Sequence, residues 1–264
     1  MALLLENKVA ILVGCGASGA TMSNGRATAL EFIRQGAQLV LADRDEQALA
    51  ECVAAIEAEG GSARAIQVDA TNEDQVNGLF DTVMADYGRV DILHNSLGIT
   101  SFGRLSRAPT EDFDRVVTVN LKALFFLCRA ALAAMEKNGS GVITNISSVS
   151  SIRHLGIRSP LYDMSKAGLN ALTRSIAVDY GPMGIRANSI LVGMMDTPLA
   201  RNGIATANRT PDKVYEGYIQ QIPLSRMGLG TDTASIAVFL ASDNATYITG
   251  SEIVVDGGLT LRSS

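Results

Sequence analysis

The sequence predicts an α/β fold: a single doubly wound parallel β-sheet with helices on both faces. Three observations carry that expectation. Short apolar runs recur along the 264-residue chain, segments of helical periodicity separate them, and no proline-rich linker, low-complexity tract or shift in composition divides the whole. Parallel strands are covered on both faces, so they read as continuous apolar runs, and each crossover between them needs a helix. Residues 1–264 are therefore read as one domain, a size at which one core can still serve the whole chain.

The elements follow in order. VAILV from Val9 is the first strand, and a glycine-rich stretch follows it. Apolar spacing at Ala27, Leu30 and Ile33 marks the first helix. The turn-prone Ser23, Asn24 and Gly25 place its start near Asn24, with Ser23 or Asn24 as the cap. QLVLAD from Gln38 is the second strand and ends on Asp43, and residues 45–59 form an amphipathic helix. ARAIQV from Ala63, a helix over 73–87 and DILHN from Asp91 complete the first half. Helices over 111–136 and 162–180 then alternate with strands VITNI from Val142 and ANSILV from Ala187, and EIVVD from Glu252 closes the sheet.

Composition narrows the classes of function. Hydrophobic residues make up 47% of the chain, enough for a sizeable core, and 27 acids outweigh 22 bases for a net charge of -5. The bases form no run of the kind that nucleic acid or an anionic membrane would hold, so neither is expected as a partner. MALLLENKVA lacks the apolar length and small-residue cleavage signal of a secretory peptide, and no later apolar run is expected to span a bilayer. A cytoplasmic location is the resulting expectation. Cys15, Cys52 and Cys128 are far apart without a CxxC, and His94 and His154 are not spaced as ligands, so neither disulfide nor metal is expected.

Gly14, Gly16 and Gly19 match GxGxxG, a loop that lets a helix N-terminus approach a pyrophosphate. A helix that starts near Asn24 makes the phosphate loop long, spanning residues 14–25, with Gly14, Ser18, Asn24 and Gly25 as its candidate contacts. An acid at the end of the second strand is placed to accept the adenosine ribose hydroxyls, and Asp43 stands there, followed by Arg44.

Farther on, Ser147 and Ser148 are expected just past the fifth strand, and Tyr162 and Lys166 form YxxxK on the helix that follows. Positions i and i+4 share a helical face. A phenol ordinarily titrates near 10, so an adjacent ammonium that favours phenolate makes it a usable acid/base near neutral pH. A serine hydroxyl in the same site can hold the substrate oxygen while a hydride moves to or from the carbonyl carbon.

Taken together, the blocks GRATA, VDAT, HNSLGI, VTVNLKALFF, NISS with YDMSKAGL, GIRANSI, DTPL and YITGSEIVVDGG resemble the short-chain dehydrogenases/reductases over nearly the whole chain. The resemblance implies a Rossmann-like domain and a catalytic set of Asn120, Ser148, Tyr162 and Lys166. Tyr162 would be the acid/base, Lys166 would lower its pKa and hold the nicotinamide ribose, Ser148 would polarise the carbonyl, and Asn120 would hold a relay water. It further implies Asp69 and Ala70 along the adenine, Asn95 and Ser96 near the adenosine ribose, and Met195 and Thr197 beside the nicotinamide. A segment over about 194–224 would cover the substrate.

Four features depart from the family's pattern. Val13 stands for the usual threonine before an extended glycine loop, Asn95-Ser96-Leu97-Gly98 for NNAG, and Val192-Gly193 for PG. The serine to tyrosine spacing is one residue long, which leaves Ser147 as the alternative to Ser148. The expected activity is NAD-dependent interconversion of a secondary alcohol and a ketone. The alternatives are an NADPH-dependent 3-oxoacyl reductase and a silent nucleotide-binding protein of the same fold. NADP is disfavoured by Asp43, although Arg44 and Arg26 pull the other way. Arg153, His154 and Arg158 are candidates for a substrate mouth that takes an anion. A homotetramer or homodimer is expected through the helices over 111–136 and 162–180, the first of which carries the run from Ala123 to Leu127.

Overall fold

The computed structural model describes residues 3–15, 21–206 and 210–262. Seven strands, β1 (Val9–Val13), β2 (Gln38–Asp43), β3 (Ala63–Gln67), β4 (Ile92–Asn95), β5 (Gly141–Ser148), β6 (Ile185–Val192) and β7 (Glu252–Val255), form one sheet in the order β3-β2-β1-β4-β5-β6-β7. Every pairing is parallel. The helices are α1 (Asn24–Arg34), α2 (Glu46–Glu57), α3 (Glu73–Tyr87), α4 (Thr110–Val117), α5 (Ala123–Asn138), α6 (Pro160–Tyr180), α7 (Pro198–Thr206), α8 (Pro211–Ile219) and α9 (Gly230–Ala241).

Strand side chains alternate between faces, and in the inner strands β1 and β4 both faces are buried. Val9, Ile11 and Val13 join Leu79 of α3, Leu124 and Leu127 of α5 and Leu169 of α6 in one core layer. Ala10 and Leu12 join Leu30 and Phe32 of α1, Ile56 of α2 and Val238 of α9 in the other. The strand order reverses between β1 and β4, which opens a crevice at the C-terminal ends of these strands, where doubly wound sheets bind ligands.

Several boundaries differ from expectation. β5 runs on to Ser148, so the two serines end the strand instead of following it. α6 begins at Pro160, because a proline at the first helical turn gives up no needed N–H. The rod expected over 111–136 contains a π turn, Thr118–Lys122, between α4 and α5. That rod, taken whole, is long and apolar enough by composition to cross a bilayer, contrary to the expectation of no such run, and half of its apolar window is buried in the fold. Within it Leu124, Phe126 and Leu127 belong to the core and Phe125 is exposed.

Candidate active site

The glycine loop is clamped at both ends. Gly14 adopts φ +90, a conformation that side chains rarely take, and its N–H donates to the Ala42 carbonyl at 2.9 Å. A Cβ on Gly25 would lie 1.9 Å from the Gly14 carbonyl oxygen, so the start of α1 packs backbone to backbone on the end of β1. Ser23 is the cap: its hydroxyl accepts from the Arg26 N–H at 3.1 Å and donates to the Cys15 carbonyl at 2.7 Å. Asn24 lies one residue inside the helix and lines the adjoining cavity. Ser18, with Gly16 and Gly19, lies outside the described residues.

Asp43 faces this loop from the end of β2. One carboxylate oxygen accepts from the Cys15 N–H at 2.8 Å and the other from the Asp45 N–H at 3.1 Å, while burial pushes its pKa up. Arg44 is exposed, and Arg26 is paired with Glu51 at 2.7 Å. Asp69 accepts from the hydroxyl and the N–H of Thr71 at 2.7 and 2.9 Å, which lowers its pKa, and Ala70 beside it is buried. Asn95 is buried and shapes the turn after β4, accepting from the Leu97 N–H at 3.1 Å. Ser96 donates its N–H to the Val13 carbonyl at 2.8 Å.

Ser148, Tyr162 and Lys166 converge on one cavity of about 850 Å³. The Ser148 hydroxyl accepts from the Ser150 N–H at 3.2 Å. Burial pushes the Tyr162 phenol up to about 12, and a hydrogen bond with Ser148 draws it partly back. Lys166 is 2% exposed; its ammonium donates to the Ile146 carbonyl at 2.8 Å and the Leu97 carbonyl at 3.2 Å and lies 5.8 Å from the centre of the Tyr162 ring. Desolvation brings its pKa down to about 8. A Cβ on Gly98 would stand 3.1 Å from this ammonium, so the glycine leaves the room it occupies. Ser147 is buried behind the strand and donates to the Lys166 carbonyl at 3.4 Å, whereas Ser148 lines the cavity.

Asn120 sits in the π turn. Its amide oxygen accepts from the Ile99 N–H at 2.9 Å, and its NH₂ donates to the Ile99 carbonyl at 3.0 Å and the Ser165 hydroxyl at 2.9 Å. Ser165 in turn donates to the Tyr162 carbonyl at 2.7 Å, so Asn120 ties the loop after β4 to the helix that carries Tyr162 and Lys166. Sequence reasoning missed Ser165 and Ile99; the only available signal was that Ser165 lies on the same helix between Tyr162 and Lys166.

The far wall comes from the 194–224 segment. Met195 and Thr197 line the cavity with Met194, Leu199, Ile204 and Tyr218, and the Thr197 hydroxyl caps α7 through the Ala200 N–H at 3.4 Å. Of the three residues expected at the mouth, only Arg158 lines the cavity. Arg153 turns away to donate to the Arg262 carbonyl at 2.5 Å, and the exposed His154 accepts from the Gly156 N–H at 3.1 Å. His94 is fully buried against Phe32, and burial lowers its pKa to about 3. All three cysteines are free and buried, and no metal-ligand cluster occurs among the described residues.

The family model described as enoyl-(acyl carrier protein) reductase matches residues 19–260. The chain is 37% identical to the 3beta-hydroxysteroid dehydrogenase 1 of Eggerthella lenta, over 92% of each chain. It is 34% identical to the 3-oxoacyl-[acyl-carrier-protein] reductase of Thermotoga maritima, over 97% of this chain and 99% of the relative. Among solved structures, levodione reductase superposes with a TM-score of 0.92 at 30% identity, covering 98% of this chain and all of the other.

Proposed function

The chain belongs to the short-chain dehydrogenase/reductase family, and from that premise we propose that it interconverts a secondary alcohol and a ketone with NAD as its preferred cofactor. The convergence of Ser148, Tyr162 and Lys166 on one cavity carries the reading. A relative that kept only the fold would have no reason to hold a desolvated ammonium beside a half-buried phenol. Tyr162 gives a proton to the carbonyl oxygen in reduction and takes it from the hydroxyl in oxidation. Ser148 holds that oxygen in place, and Lys166 favours the phenolate form. Two of the three ammonium hydrogens are engaged by carbonyls, and the third is left for a ribose hydroxyl.

The residues present fit a nicotinamide dinucleotide. The clamp between Gly14 and Gly25 sets the N-terminus of α1 at the crevice, Asp43 marks the ribose end, and Asn24, Ser96, Met195 and Thr197 line the approach to the catalytic residues. When bound, the cofactor supplies the hydride acceptor or donor. Asp43 supports NAD over NADP because it is fixed by two backbone amides and would meet a 2′-phosphate as a like charge. Arg26, the cation that could offset this from the helix start, is committed to Glu51.

The resemblance to a 3-oxoacyl-[acyl-carrier-protein] reductase and the exposed Arg44 favour a second reading, an NADPH-dependent 3-oxoacyl reductase. Steady-state kinetics with each cofactor separate the two. NAD should give the higher kcat/KM, and Asp43→Ala should narrow the gap; a higher value with NADP overturns the cofactor assignment. A homodimer or homotetramer in the cytoplasm completes the reading, supported by the exposed Phe113, Phe125, Met164 and Val178 along α4, α5 and α6.

A further inference from the structure

Two loops form one side of the cavity mouth, and their charge is one-sided. Residues 100–109 carry Arg104 and Arg107, and residues 149–159 carry Arg153, His154 and Arg158; neither loop contains an Asp or Glu. All five side chains are exposed, in a chain whose net charge is -5. The loops are joined where the Gly103 N–H donates to the Arg158 carbonyl at 2.8 Å, which sets Phe102 and Arg158 on the same lip.

Neighbouring cations near the cavity are engaged. Arg153 holds the Arg262 carbonyl, Arg201 on the opposite wall forks onto Asp196 at 2.6 and 2.8 Å and reaches Asp212 at 3.3 Å, and Lys166 is held by two carbonyls. The Arg158 guanidinium makes no hydrogen bond or ion pair with a described residue, and it lines the cavity with Phe102, Leu155 and Ile157. The opposing charge on this lip is Asp163, which also lines the cavity and accepts from the Ser159 hydroxyl at 2.9 Å. Asp112, in the helix that follows the first loop, is held by Ser101 and Arg115.

We propose that the substrate carries an anionic group remote from its reacting carbon, and that Arg158 receives this group at the cavity mouth. The inference rests on the alcohol/ketone reading above and names its substrate class: an apolar body with a carbinol or carbonyl at one end and a carboxylate or comparable anion at the other. The geometry supplies each part. Ser148 and Tyr162 define the reacting end, and the apolar walls around Met194, Leu199 and Ile204 receive the body. A planar guanidinium suits a carboxylate because it offers paired donors. Arg104, Arg107, Arg153 and Arg158 outnumber Asp163 on this rim, so its net positive charge attracts an anion before contact, an effect that salt should screen.

The test compares a matched pair, 4-oxocyclohexanecarboxylate and its methyl ester, with NADH as reductant. The acid should exceed the ester in kcat/KM by about tenfold or more, the scale of a charge-assisted hydrogen bond. Arg158→Gln should bring the acid-to-ester ratio to about one, chiefly through KM for the acid, and Arg158→Glu should reverse it. Raising ionic strength should lower the acid's kcat/KM and leave the ester's in place. An ester as good as the acid, or an equal loss for both in Arg158→Gln, overturns the proposal. So does faster turnover of a carrier-protein-bound 3-oxoacyl thioester, which would assign the rim to a macromolecule. Calorimetry of the acid with the NADH-loaded protein separates this inference from the redox reading. If neither compound is reduced, the redox reading fails for this class, while acid binding that weakens about tenfold in Arg158→Glu still supports the anion site. Equal binding by the two proteins overturns it.

Discussion

Lys166 offers the sharpest test of the catalytic reading, because its effect on Tyr162 can be worked from distance. The ammonium lies 5.8 Å from the phenol ring centre, and both groups are withdrawn from solvent. At an effective dielectric of 20, a unit charge at that separation stabilises phenolate by about 3 kcal/mol, which is roughly two pKa units. Replacing Lys166 with Met removes the charge and keeps most of the volume. Tyr162 then holds its proton more tightly wherever Lys166 would be charged, so the rate of alcohol oxidation at pH 7 should fall about a hundredfold. Because Lys166 itself titrates at about 8, the ammonium assists only below that pH, and the gap between the two proteins should narrow above it.

The substitution also has a structural cost. The Leu97 and Ile146 carbonyls lose their donor, at about 1–3 kcal/mol for each acceptor left buried without a partner. The pH profile of kcat/KM is therefore measured at a temperature where circular dichroism shows the variant folded. A folded Lys166→Met protein whose rate falls by the same factor at every pH would refute the electrostatic role. An unchanged profile would remove Lys166 from the mechanism.

Three further outcomes are expected. Tyr162→Phe removes the proton donor and should cut turnover by about a hundredfold or more, with NADH binding by fluorescence retained; near-normal turnover would sink the assignment. Gly25→Ala sets a methyl 1.9 Å from the Gly14 carbonyl oxygen, so α1 must shift away from β1; cofactor affinity should collapse, and an unchanged Kd would show that the clamp is not needed. His94 stays neutral in the fold down to about pH 3, whereas in the unfolded chain it takes a proton below about 6.5. The unfolded state therefore gains protons first as pH falls, and stability is lost from 6.5 toward 3, by about 2 kcal/mol at pH 5. Urea midpoints at pH 7 and 5 should show this for the wild type and a smaller loss for His94→Gln.

The inner strands β1 and β2 were legible because a parallel sheet covered on both faces leaves an apolar run, VAILV and LVLA, and that signal needs no knowledge of partners, whereas the edge strand β3, ARAIQ, is largely exposed. Tyr162 and Lys166 were legible for a similar reason, since i and i+4 meet on any helix. The choice between Ser147 and Ser148 depended instead on where β5 stops. Successive strand side chains point to opposite faces, so one residue decides between the cavity and the Lys166 carbonyl. Asn120 shows the same limit at longer range. The π turn has no residue signature, and the partners of its amide, Ile99 and Ser165, lie 21 and 45 residues away. At the mouth, Arg153, His154 and Arg158 form one basic patch on paper. A turn with Gly156 at φ +75 disperses them, and Arg153 finds its acceptor 109 residues along the chain. Local periodicity thus placed Tyr162 and Lys166 together, while chain closure decided which neighbours surround them. The cationic rim belongs to the second kind: it emerges only where the Gly103 to Arg158 hydrogen bond brings two acid-free loops to one lip.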